Sequence, residues 1–182
     1  MRVFIAIEFS KEIKDYMYSV QQNLKVSMEK GNFSNVANFH LTLRFIGDST
    51  PDKILLLKQA IEKTASNEVS FSLETDKIGF FPKGVKKVIW MGITKEKKLL
   101  EKLYLSLESE LEKVGIKKEE KPFSPHITLV REAITNIDFE ILKQNIILEN
   151  KEICVGNISL MESIRIDGTL TYRPIYVCKL QN

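Results

Sequence analysis

The chain has 182 residues, 43% of them hydrophobic and 28% charged, with eight Gly and five Pro. That balance describes a globular chain able to bury a core without disulfide staples, and it excludes collagen-like and low-complexity classes. The net charge of +3, from 27 basic and 24 acidic residues, comes without a run of five or six like charges. No basic tail therefore announces nucleic-acid binding, while an anionic substrate remains compatible.

Residues 2–9 (RVFIAIEF) predict a first strand. Its apolar part is too short for a signal peptide and is closed by Glu8, Lys11 and Glu12. Ser10 can cap a helix. Ile13, Met17, Val20, Leu24 and Met28 recur at spacings of three and four, which predicts a helix to about residue 30, ended by Gly31-Asn32. Residues 39–47 are apolar and short, a strand. Ser49-Thr50-Pro51 opens a second helix, with Ile54, Leu57, Ile61 and Ala65 inward. Residues 69–80 alternate as a strand, closed by Pro82-Lys83-Gly84. Another strand is predicted over 85–93. Thr94 then caps a helix with the stripe Leu99, Leu103, Leu107, Leu111 and Val114, ended by Gly115. Residues 124–131 predict a strand, 137–145 a short helix and 153–161 a strand. A last strand, 170–179, follows a turn at Asp167-Gly168.

The longest aliphatic runs, such as 54–57, fall far below the ~20 residues of a membrane span, so no membrane partner and a cytoplasmic location are expected. Cys154 and Cys178 give neither a disulfide framework nor a metal quartet. Each sits in an apolar alternating stretch and is read as a buried free thiol.

The order strand, helix, strand, helix, strand occurs twice, offset by about 86 residues. This is one lobe duplicated rather than a solenoid repeat. No Pro/Ser/Gly linker parts the halves. The two lobes are therefore expected to share one fold.

The chain has only two histidines, which excludes a His-rich metal site. They sit in Phe39-His40-Leu41-Thr42-Leu43-Arg44 and Pro125-His126-Ile127-Thr128-Leu129-Val130-Arg131, again 86 residues apart. On a strand, residues i and i+2 share a face. His40 and Thr42 therefore face one way and Leu41 and Leu43 the other; His126 and Thr128 repeat this against Ile127 and Leu129. One His-apolar-Thr-apolar hit has a chance on the order of one in a hundred, and both on the order of one in ten thousand. Coincidence is a poor account of the pair.

Across a cleft, one imidazole can accept a proton while the other donates one. The two hydroxyls can hold the non-bridging oxygens of an anion. That set suits in-line displacement at phosphorus. No phosphate-cradling G-x-x-x-x-G-K loop is present, and no spacing of Cys or carboxylates beside the histidines suggests a metal. No cofactor and no metal are expected.

The twin motifs at 40–43 and 126–129 resemble those of the 2H phosphoesterase superfamily. FHLTLRFIG at 39–47, FFP at 80–82, VIWMG at 88–92 and KPFSPHITLVR at 121–131 look like the bacterial and archaeal RNA 2′,3′-cyclic phosphodiesterases, formerly called 2′-5′ RNA ligases. RVFIAIEF at the start and GTLTY at 168–172 fit too, so the resemblance spans the chain. It implies an α+β fold, a single bilobal domain over 1–182 with interleaved lobes related by a pseudo-two-fold and antiparallel sheets lining a central cleft, and metal-independent opening of a terminal 2′,3′-cyclic phosphate of RNA to a 2′-phosphate. It makes His126 the proton acceptor, His40 the proton donor, and Thr42 and Thr128 the phosphate anchors. The sequence itself is symmetric between the two histidines.

Arg131 matches the family's basic residue, but strict alternation points it away from His126, so a bulge or strand end must turn it inward. Arg44 keeps the face of Thr42. Phe81, Phe123 and Tyr172 are candidates to stack a terminal base. A monomer is expected. Cyclic phosphates of other nucleotides, 2′-5′ ligation of RNA ends and a non-catalytic nucleotide-binding module stay open as alternatives.

Overall fold

A computed structural model describes all residues from Met1 to Asn182. The chain begins with β1 (Arg2–Glu8), α1 (Lys11–Lys25) and β2 (Lys30–Phe33). A single 3-10 turn (Val36–Asn38) leads into β3 (His40–Asp48), followed by α2 (Pro51–Asn67) and β4 (Phe71–Lys83). The second half runs β5 (Lys86–Thr94), α3 (Lys97–Lys113), β6 (Ile127–Ile134) and α4 (Phe139–Gln144). It closes with β7 (Glu152–Val155), β8 (Asn157–Ile166) and β9 (Thr169–Lys179).

These strands build two antiparallel sheets, ordered β3-β1-β8-β9 and β2-β6-β5-β4-β7. The halves trade strands. β4, from the first half, pairs with β5 of the second; β8, from the second, pairs with β1 of the first. The fold is α+β and duplicated, as the sequence indicated, and each sheet contains chain from both halves.

Each sheet is backed by helices. α2 packs on β8 and β9, and α3 on α2. On the other sheet, Gln21 of α1 donates to the carbonyls of Leu129 and Ser34, both at 2.9 Å, and Phe139 of α4 meets Phe80 of β4 edge-on at 4.5 Å. The helices follow from capping and periodicity. Ser10 Oγ accepts from Ile13 N–H, and Thr50 Oγ1 from Lys53 N–H with Pro51 behind it. Ile13, Met17, Val20 and Leu24 are buried, as are Leu57, Ile61 and Ala65. One continuous core joins Ile5, Ile7 and Leu41 of the first sheet to Ile89, Met91 and Leu129 of the second. Each such side chain contributes about 1.5–3 kcal/mol by leaving water.

Several local readings need correction. Helix α1 stops at Lys25, and residues 30–33 form an edge strand on β6 instead. A Cβ on Gly31 would lie 2.7 Å from Val130 Cγ1, so this glycine lets the chain run close against β6 rather than ending a helix. Thr94 does not cap α3: it stays in β5, opposite Glu74, and left-handed Lys95 and Glu96 make the turn. The buried stripe of α3 is Leu100, Leu103, Tyr104, Leu107 and Leu111, with Leu99 only half-buried. The single strand read over 153–161 is two strands in different sheets, broken at Gly156. Cys154 lies exposed on β7, since Ile153 and Val155 take the inward positions, and Cys178 is half-buried.

Both motif strands carry a bulge at the same place. In β3, Thr42 lies opposite Ala6 and Arg44 opposite Ile5, so Leu43 and Arg44 together face one residue of β1. In β6, Thr128 lies opposite Trp90 and Val130 opposite Ile89, so Leu129 and Val130 do the same against β5. A bulge places two consecutive residues on one side and reverses the alternation beyond it. Leu43, Arg44, Leu129 and Val130 are all buried. Arg44 thus leaves the face of Thr42. Its Nη1 lies 2.9 Å from Glu119 Oε2, its Nε 3.3 Å from Glu108 Oε1, and its Nη2 donates to the Lys117 carbonyl at 2.6 Å.

Removing one partner of a buried ion pair leaves the other charge uncompensated. Arg44→Ala is therefore expected to lower unfolding stability by about 3–5 kcal/mol in urea titrations. The double variant Arg44→Met/Glu108→Leu should recover most of that loss. A single variant as stable as the parent would show that the network carries no stability.

Candidate active site

The open faces of the two sheets enclose a cleft of about 600 Å³, lined by His40 and Thr42 from β3 and by Thr128 and Arg131 from β6, with His126 just ahead of β6. All five site residues singled out from the sequence meet in it. Arg131 is there because the bulge at Leu129 and Val130 turns it inward.

The two imidazoles are held alike. His40 Nδ1 and His126 Nδ1 each lie 2.7 Å from the backbone carbonyl two residues upstream, of Asn38 and Ser124. A carbonyl only accepts, so each Nδ1 carries the proton and each Nε2 is left for chemistry. His40 Nε2 lies 2.9 Å from Thr42 Oγ1, which donates to it while the ring is neutral. His126 Nε2 is bonded to no protein group.

Aromatic rings box both imidazoles in duplicate. Phe4 of β1 and Trp90 of β5, 86 residues apart, stand 4.8 Å from His40 and 6.4 Å from His126 between ring centroids. Tyr172 meets His40 edge-on at 5.2 Å, and Phe81 meets His126 edge-on at 4.9 Å. Gly79 makes room for the indole, since a Cβ there would sit 2.3 Å from Trp90 Cη2. Phe81 and Tyr172 are therefore beside the histidines, though they meet the rings rather than standing free. Phe123 is not: it stacks on Tyr104 at 4.1 Å beside a separate concavity on α3.

Burial sets the electrostatics. It pushes His40 down from 6.5 to about 4, with the charges of Arg131 and Lys14 adding to the effect and the bond to Asn38 opposing it. His126 is lowered as well, again by burial first and then by Arg131, against the bond to Ser124. Both rings are therefore neutral at pH 7. Arg131 and Arg165 line it, and no carboxylate does. The field favours an anion, and an anion beside the rings would raise both pKa values again.

Three contributors were not evident in the sequence. Asn38 lines the cleft, donates through Nδ2 to the Leu170 carbonyl at 2.7 Å and accepts from Tyr172 N–H at 2.9 Å, tying β9 to the motif strand. Arg165 arrives from the β8–β9 hairpin, its Nη1 donating to the Gly168 carbonyl at 2.7 Å. Strand pairing far along the chain brings Arg165 in, and Asn38, two residues before His40, owes its role to bonds with equally distant β9. The third, the Phe4 and Trp90 pair, did have a signal in the sequence: these rings obey the same 86-residue offset as the histidines.

Residues 7–90 match the family model described as LigT like Phosphoesterase. A Thermotoga maritima protein named RNA 2′,3′-cyclic phosphodiesterase is 29% identical over 100% of this chain and 96% of its own length. One of the same name from Aquifex aeolicus is 26% identical over 97% and 93%. The crystal structure of Escherichia coli LigT complexed with 3′-AMP superposes with a TM-score of 0.80 at 24% identity, covering 100% of this chain and 98% of that one. A crystal structure of a Thermus thermophilus protein reaches 0.83 at 22% identity with the same coverage. Two histidine-threonine strands thus share one cleft of a duplicated α+β fold, the fold that these solved structures also have. Residues 7–90 are thus similar to the LigT-like phosphoesterases, and the chain along its whole length to proteins named RNA 2′,3′-cyclic phosphodiesterase.

An NMR titration of the imidazole nitrogens should place His40 near 4 and His126 below 6.5. Arg131→Gln should raise both, since its charge lowers both. The unfolded chain takes up a proton on His40 between about 6.5 and 4 that the folded chain refuses, so stability should fall as pH drops through that window. A His40 value at or above 6.5 in the free protein would contradict the packing described.

Proposed function

We propose that the protein hydrolyses the 2′,3′-cyclic phosphate at the end of an RNA chain to a 2′-phosphomonoester, without a metal. The carrying observation is the pair of imidazoles, each locked through Nδ1 and followed two residues on by threonine, in one carboxylate-free cleft with Arg131. The names of relatives matched along the whole chain support the substrate. A LigT structure bound to 3′-AMP supports a nucleotide ligand. Both motifs lie on one chain, so residues 1–182 act as one bilobal unit and a monomer suffices.

In this reading water attacks phosphorus opposite the 3′ oxygen. His126 accepts the proton of the water at Nε2, the nitrogen that no protein group occupies. The bond from phosphorus to the 3′ oxygen breaks, and His40 gives its Nε2 proton to that oxygen. The phosphate stays on the 2′ oxygen. Thr42 and Thr128 donate to the non-bridging oxygens, and Arg131 offsets the charge that grows on them. Protonation of His40 turns Nε2 from acceptor to donor, which frees the Thr42 hydroxyl proton for phosphate. The anionic substrate raises the pKa of His40 against the burial that otherwise holds it near 4.

Incubation with an oligoribonucleotide ending in 2′,3′-cyclic phosphate, in EDTA, should yield the 2′-phosphate. His40→Ala and His126→Ala should each lose about 10²–10⁴-fold in rate. Thr42→Val and Thr128→Val should lose about 10²-fold or more. The profile of kcat/KM should be bell-shaped, rising as the base loses its proton and falling as the acid does. Both rings titrate below 6.5 when free, so kcat/KM should already decline about tenfold per pH unit above neutrality. A rate that climbs to pH 9, or products carrying a 3′-phosphate, would refute the scheme.

A further inference from the structure

The cleft continues past the imidazoles. Through His40, Thr42 and Arg131 it joins a second concavity of about 600 Å³, whose own residues include Arg2, Phe45 and Ser163. Arg165 and Tyr172 border both spaces, and no carboxylate lines the second one either.

Two features make this more than an extension of the groove. The chain has five arginines. Arg44 and Arg173 are ion-paired, with Glu108 and Glu119 and with Glu162. Arg2, Arg131 and Arg165 border the cleft and none of them pairs with a carboxylate. Unneutralised guanidinium groups around one concavity are suited to phosphate oxygens, which they meet through two parallel N–H bonds.

Phe45 is the second feature. It lies 86 residues before Arg131, the first position past its own bulge, so the duplication places a large exposed aromatic where the other half has the cation. The residue is 49% exposed, with the Arg2 guanidinium 5.1 Å from the ring centroid. The guanidinium lies over one face of the ring, and an exposed aromatic paired with a cation is the combination that receives a base and its phosphate in single-stranded nucleic-acid grooves.

We propose that the second concavity is the subsite for the nucleotide preceding the one that bears the cyclic phosphate. Arg2 and Arg165 bind the intervening phosphodiester, and Phe45 stacks the base. The inference rests on the proposed reaction and narrows its substrate to chains of two or more nucleotides over cyclic mononucleotides.

The test compares kcat/KM for a 2′,3′-cyclic mononucleotide, a dinucleotide and a tetranucleotide carrying the same terminal group. One stacked base is worth roughly a 5- to 150-fold gain, so the dinucleotide should exceed the mononucleotide by about 10-fold or more, with little added by the tetranucleotide. Phe45→Ala and Arg2→Ala, both at exposed positions, should bring the dinucleotide-to-mononucleotide ratio toward one, and Phe45→Trp should restore it. Arg2→Ala should also flatten the dependence of the logarithm of the dinucleotide rate on log salt by about 0.7. Equal rates on mono- and dinucleotide in the parent protein, or a ratio that survives both alanine variants, would overturn the subsite. If the parent turned over none of the three, the proposed reaction would be at fault. Titration with 2′-phosphorylated mono- and dinucleotides would then decide the subsite by itself, equal affinities overturning it and tighter dinucleotide binding supporting it.

Discussion

An imidazole whose Nδ1–H is spent on a backbone carbonyl has one nitrogen left, fixed in protonation and direction. This chain makes that arrangement twice, on Asn38 and on Ser124, both at 2.7 Å. The hydrogen bond runs to a residue only two positions upstream, so the segment entering each motif sets the ring. On the first side that segment is a 3-10 turn whose Asn38 is pinned by side-chain bonds to β9. On the second side Ser124 lies in a stretch without regular structure. The aromatic rings around each imidazole then remove it from water, and that desolvation lowers both pKa values.

The bulges are the second constraint, and they decide which cation serves the cleft. Strict alternation gives Arg44 to the face of Thr42 and takes Arg131 away from the face of Thr128. Because each motif strand spends two residues on the core side, both assignments reverse. The need for a bulge at Arg131 was legible from the period of the strand. The same shift at Arg44 was not drawn from the sequence, although the 86-residue offset places the two bulges at equivalent sites. A buried arginine demands carboxylates, and Glu108 and Glu119, which answer it, sit on α3 and in the segment after it. Nothing in the local sequence of β3 indicates either.

More generally, what was legible was periodic or duplicated. Helices α1, α2 and α3 follow from stripes at three- and four-residue spacing, and the site from two identical motifs. What was not legible depends on distant chain. Residues 153–161 alternate throughout, yet Val155 pairs with Phe71 in one sheet and Asn157 with Lys179 in the other. Alternation specifies a strand and a buried face, but not a partner. Thr94 has the chemistry of a cap, and its ladder position opposite Glu74 overrides it. Arg165 enters the cleft only because β8 crosses to the sheet of β1.

Duplication supplies position, but acid–base chemistry by two imidazoles requires that they differ. A strictly two-fold site would give both rings the same pKa and the same partners, and proton transfer in one direction would have no preferred course. The departures from symmetry lie where they separate the rings. Thr42 is bonded to His40 Nε2, while the Nε2 of His126 is open. His40 lies deeper, under Tyr172 and the hairpin of β8 and β9. Arg131 in one half corresponds to Phe45 in the other, so the cation proposed to bind phosphate and the ring proposed to bind a base come from equivalent positions. A single substitution in one copy of a duplicated strand thus changes the chemistry of one side without moving the imidazole of the other. In the proposed reaction the asymmetric residues would govern direction and substrate, while the repeated ones hold the geometry that both require.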